Sequence, residues 1–143
     1  MMLPQRFPLM LPADIEALAH YALTPIVAPA LVVTKLEDAD DIDTNGAVRV
    51  ECATLNPLLE ERNAAWDLAF LVHCYSPDEI AAMNLNLEVA AYVCSVRGQT
   101  IMGYYIVDVV NYVGGQKLPE PGVEGLTRYR SAVTWRVAGK PIE

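Results

Sequence analysis

Asp41-Ile-Asp43-Thr-Asn45-Gly46 is the run of this chain with metal-ligand spacing. Oxygen ligands at positions one, three and five, with glycine at six, open the loop that wraps a calcium ion. Such a loop needs a bidentate glutamate at position twelve. That position is Cys52 here, and Glu51 comes one residue early. Lacking that ligand, the run reads as an exposed turn whose Asp, Asn and Gly residues tolerate turn geometry, and no metal is expected. His73 and Cys74 could form a thiolate–imidazole pair only if both pointed the same way. Adjacent residues of a strand point to opposite faces, so a nucleophilic pair is not expected. There is no phosphate loop, no G-x-S-x-G and no dinucleotide fingerprint. The expectation is a chain without catalytic residues or cofactor, and not an enzyme.

Two charged groups remain. Glu37, Asp38, Asp40, Asp41 and Asp43 make an acidic run, read as an exposed loop and a candidate for lumen or loop contacts. Arg128, Arg130 and Arg136 recur at even spacing in residues 127–137, opposite Tyr129, Ser131, Val133, Trp135 and Val137. That is a strand with one buried and one cationic side. The arginines are a candidate subunit interface, or else the solvated face of an edge strand, where charge deters unwanted pairing.

At 143 residues the chain is expected to be one domain, residues 1–143. Hydrophobic residues make up 53% and charged ones only 20%, so a chain this apolar is expected to cover some surface with a neighbour. The net charge of −8 argues against nucleic-acid affinity, which draws on clustered Lys and Arg, though it lets DNA pass without sticking. Cys52, Cys74 and Cys94 are too few and too scattered for a disulfide framework, and read as small buried hydrophobes. The N-terminus holds three prolines and makes a poor signal peptide. The apolar run 26–33 is too short to cross a bilayer, so no membrane is expected.

The elements that must position these residues are read from period and punctuation. A first helix is expected over residues 13–23, opened by Pro12 and ended by Pro25. Residues 30–36 and 47–53 read as the arms of a hairpin with a long tip, and 65–75 as a central strand covered on both faces. Ser76-Pro-Asp-Glu79 reads as a capping box. It starts a second helix whose stripe is Ile80, Met83, Leu87, Ala91 and Cys94 and whose stop is Gly98. Residues 100–112 are β-prone, 113–126 read as a long Gly/Pro loop, and 127–137 as the closing strand. Residues 1–11 are left as an extended arm and 139–143 as a tail. The order α-β-β-β-α-β-β makes an α+β fold, a mostly antiparallel or mixed sheet with two main helices.

This layout resembles the tail terminator proteins of long-tailed bacteriophages. The likeness lies in the short helix under a proline-punctuated start, the variable loop between residues 30 and 53, the strand running into a capped helix (66–97), and the closing strand 128–137. The resemblance implies a virion protein, assembled in the host cytoplasm. It implies a homo-hexameric ring that caps the tail tube, stops polymerisation of the tube protein and docks the head connector. The genome would pass through its lumen without specific binding. Another head–tail neck or completion protein, and a small soluble α+β enzyme or ligand-binding domain, are the alternatives.

Overall fold

In a computed structural model, a long sheet carries both helices on one of its faces. The structure describes residues 10–33, 42, 45–57, 65–118 and 126–141. The elements in chain order are β1 (Met10–Leu11), α1 (Ile15–Val27), β2 (Leu31–Val33), β3 (Ala47–Pro57), β4 (Ala65–Ser76), α2 (Glu79–Val93), β5 (Thr100–Ile101), β6 (Tyr104–Leu118), β7 (Thr127–Ala138) and β8 (Lys140–Pro141). The six-stranded sheet runs β2-β3-β4-β7-β6-β5, and β1 pairs separately with β8. The expected α+β class and element order are therefore present, with β1 and β8 added at the ends and the 100–112 run divided into a hairpin. That hairpin turns at Met102 (φ 51°) and Gly103 (φ 79°), the two positive dihedrals that a tight two-residue turn demands.

Alternation decides the sheet's inner face. Val48 and Val50 of β3, Leu68, Phe70, Val72 and Cys74 of β4, and Ser131, Val133, Trp135 and Val137 of β7 are all buried beneath the helices. Phe70 meets Trp135 edge to face, centroids 4.9 Å apart. Polar groups peg α2 to this layer. The Trp135 Nε1–H donates to the Val93 carbonyl at 3.0 Å. The Ser131 hydroxyl donates to Asn86 Oδ1 at 2.9 Å, and Asn86 and Ser131 are both buried. α1 is tied in by Glu16, which accepts the Cys52 N–H at 2.9 Å, beside the register shift of β3 between Cys52 and Thr54.

Several sequence expectations change. The N-cap of α1 is Asp14, accepting from the Glu16 and Ala17 amides, so the helix starts two residues later than residue 13. Pro25 does not end it. It stands in the last turn, where only the Tyr21 carbonyl loses a donor, and one further turn brings Val27 into the core. Residues 31–33 pair with β3 in parallel, so β2 and β3 are not a hairpin. The capping box does not form either. Ser76 ends β4, fully buried, and its hydroxyl accepts from the Asp78 amide, while Asp78 itself caps α2. α2 closes at Val93 with Cys94 as C-cap, so Gly98 serves a later turn.

The loop expected over 113–126 is strand as far as Leu118. Glycine there serves close approach. A Cβ on Gly115 would overlap the side-chain amide of Asn86, so β6 can cross α2 at this point only without a side chain. A one-residue shift of the β6–β7 register lies at this glycine pair. Gly115→Ala should therefore cost about 1–3 kcal/mol by overpacking. Urea denaturation checks this, and adding Asn86→Ala to the same chain should recover part of the loss by making room.

Candidate functional site

The sheet's second face carries no helix among the described residues, and its register sorts charge into two ends. At one end Asp67, Arg136 and Asp108 face each other across β4, β7 and β6. Arg136 grips Asp67 with both prongs, Nε–Oδ1 at 2.9 Å and Nη2–Oδ2 at 3.3 Å. At the other end Arg49, His73, Arg130 and Gln116 form one cross-strand row, followed by Ala47, Tyr75, Arg128 and Leu118. Ala69, Leu71, Ala132 and Thr134, all half-buried, lie between.

The three arginines expected on one face do share it, but not one role. Arg136 is spent on Asp67 within the chain, whereas Arg128 and Arg130 lie at the far end beside His73. Neither is on an edge strand: β7 lies between β4 and β6. The acidic candidates Glu37, Asp38, Asp40, Asp41 and Asp43 lie outside the described residues. Ile42, between two of them in sequence, is buried with Ala47 and Tyr75. Of the calcium-like run, Gly46 has φ +85°, and a Cβ there would press on the Tyr75 carbonyl; Cys52 at the twelfth position lies in β3. No group of three metal-ligating side chains occurs among the described residues. Of the cysteines only Cys74 is buried, its thiol pushed up to about 12 by burial; Cys52 is half-buried and Cys94 exposed.

The sequence weighs His73 only as the neighbour of Cys74, yet on this face it is a buried polar side chain. It is 3% exposed and stacks on Tyr75, and neither ring nitrogen has a hydrogen-bond partner. Burial, then Arg49, Arg128 and Arg130, hold its pKa down at about 4. Its 3.9 Å contact with Glu51 is thus no ion pair at neutral pH.

The helical side offers a different surface. Residues 82, 85, 86, 89 and 93 of α2 are buried on the sheet. The stripe expected to be buried, Ile80, Met83, Leu87, Ala91 and Cys94, is the outward one: Ile80 is 65% exposed, Met83 41% and Leu87 58%. α2 is apolar on both sides. Beside the core, Ala17, His20, Tyr21, Thr24 and Pro25 of α1 and Met102 of the β5–β6 turn line an apolar groove of about 600 Å³. The sequence matches no protein-family model and no curated protein. No helix among the described residues is long and apolar enough to cross a membrane.

The His73 environment sets a pH dependence. The unfolded imidazole takes up a proton near its ordinary pKa of about 6.5, and the folded one only near 4. Below about pH 6.5 the unfolded state binds more protons, so stability present at neutral pH is lost as pH falls toward 4, by up to about 3 kcal/mol. His73→Phe, which keeps the stack on Tyr75, should flatten this part of the urea-stability profile between pH 4 and 6.5. An unchanged slope would mean that His73 is protonated in the folded protein.

Proposed function

We propose that this chain is a structural virion subunit that assembles into a ring, caps the tail tube of a long-tailed bacteriophage, stops tube growth and joins the tube to the head connector. One observation carries the reading: α2 is apolar on the side away from the sheet as well as on the side against it. On the outer side Ile80, Met83 and Leu87 stand exposed in a row between the polar Glu79, Asn84 and Glu88, an apolar stripe that nothing covers among the described residues. The α+β layout, which resembles the tail terminators, supplies the kind of assembly.

In this reading the arginine end of the open sheet face, Arg128 and Arg130, is a second contact surface, and the acidic run 37–43 faces the lumen. The chain's charge suits that passage. Six copies at −8 would carry about −48, a field that repels DNA rather than trapping it. No catalytic step is assigned to any residue.

The test adds purified protein to polymerising tube protein. Tubes should stop lengthening at roughly one six-membered ring per growing end, and native mass spectrometry should show the sixfold species. Tubes that grow on unchanged while the protein binds the head connector would indicate a neck protein instead. Arg128→Glu with Arg130→Glu should abolish the ring while the far-ultraviolet circular dichroism stays that of the folded chain.

A further inference from the structure

We propose that Arg49, His73 and Arg130 form a receptor for a single carboxylate group on the open face of the sheet. The three stand in one cross-strand row on β3, β4 and β7, so their side chains leave the same face side by side. Two buried groups of this row lack a partner. Nε of Arg49 is sealed from water without an acceptor, and neither ring nitrogen of His73 has a hydrogen-bond partner. An imidazole carries at least one N–H in either protonation state, so the row holds two buried donors with nothing to donate to. Such donors destabilise a fold and are few in native proteins, so an acceptor is missing here. The ring is also held in place. It stacks on Tyr75, centroids 6.2 Å apart, and Tyr75 is packed against Ile42 and Ala47.

Charge says what kind of acceptor is missing. Water would meet the two donors but not the charge. Glu51 already pairs with Arg49 at 3.4 Å, and at 3.9 Å from His73 Nε2 it is too far for a hydrogen bond. Arg130 forms no ion pair among the described residues. The row therefore lacks both an acceptor and one negative charge. A carboxylate supplies both: its two oxygens take the fork of one arginine and keep lone pairs for the other two donors. The site meets solvent through Arg49 and Arg130, both half-buried, with His73 only 3% exposed between them in the row. Tyr75 and Arg128, paired across β4 and β7, form its border. The group can come from a free small acid or from an Asp or Glu side chain of a neighbouring subunit, and the second source alone rests on the ring reading above.

Acetate is the probe, added to dilute protein at pH 7, with sodium chloride of equal ionic strength as the control. It should shift the imidazole resonances of His73 and leave those of His20, the chain's other histidine, in place. His73→Phe assigns the two sets. Arg130→Gln removes charge and fork together and should weaken acetate binding at least about tenfold, whereas Arg130→Lys, which keeps the charge, should weaken it less. Circular dichroism checks that both variants fold, and the wild-type titration stands whether or not they do. No response at His73 overturns the receptor. So does a chloride response equal to that of acetate, or an Arg130→Gln protein that binds acetate like the wild type. A second measurement names the source. Rings that acetate loosens in sedimentation velocity, beyond the effect of chloride, hold a neighbour's side chain in the row, and rings indifferent to acetate that binds the dilute chain assign a free acid. The two readings can fail separately. Absent acetate binding sinks the receptor whatever the ring does, whereas tubes that grow on unchanged sink the capping role while acetate still binds.

Discussion

The buried seam between α2 and β7 is the constraint on which the molecule's surfaces depend. Asn86 and Ser131 are polar and sealed from water, so each must find a partner inside, and each finds the other. A buried amide left unpaired would cost about 1–3 kcal/mol, a large share of the stability of a domain this size. Trp135 adds its donor to the Val93 carbonyl two turns along. Together they fix the rotation of α2 about its own axis. The small Ala82 and the β-branched Val89 and Val93 then face the sheet, and Ile80, Met83 and Leu87 face out. The seam also reaches across to β6, where the chain needs Gly115 to clear the same asparagine. One hydrogen-bonded pair thus sets a helix rotation, a strand's path and the chemistry of the outer surface.

The opposite face of the sheet is organised by charge rather than by packing. Arg136 and Asp67 neutralise each other on neighbouring strands, half-buried, in the bidentate geometry that makes such a pair rigid. At the other end Arg49, Arg128 and Arg130 surround a histidine too buried to share their charge. His73, neutral, adds no charge there, and Arg49 pairs with Glu51 at 3.4 Å, so the positive character of this end comes from the arginines alone. The two ends of one open face therefore present different electrostatics without any helix to separate them.

How far the sequence carried the fold follows from which signals were unique. β7 was legible because period 2 with arginines on one side admits a single orientation, and β4 was legible as central because both its faces are apolar. α2 existed plainly in the sequence, but its inner face did not. Residues 82, 85, 89 and 93 recur at the same kind of spacing as 80, 83, 87, 91 and 94, and periodicity cannot choose between two apolar stripes half a turn apart. The choice was made by Asn86, a polar residue that pattern reasoning assigns to solvent. Gly115 misleads for a related reason: glycine marks loops and close approaches alike, and only its partner Asn86 on α2 tells which. The capping box failed because Ser76 was needed to finish β4, where tertiary pairing outweighs a local cap. His73 gave no signal, since its character comes from arginines 24 and 57 residues away in sequence and one strand away in space.

Several large apolar side chains stay outside the core: some line up on the outer edge of α2 (Ile80, Met83, Leu87), and others lie at the α1 groove (Tyr21, Met102) and along β2, β3 and β6 (Leu31, Leu55, Tyr105, Val110, Val113). Isolated exposed hydrophobes are ordinary on any protein, whereas an aligned row on a rigid element marks a contact. The row's stiffness comes from the same seam that turned it outward, so it is held in one geometry before any partner arrives. A preformed surface of this kind spares the ordering cost that a flexible one would bear on association. In the proposed ring, a row held rigid in this way would serve repeated, identical contacts between subunits. That is the physical requirement of a subunit whose role lies in its neighbours.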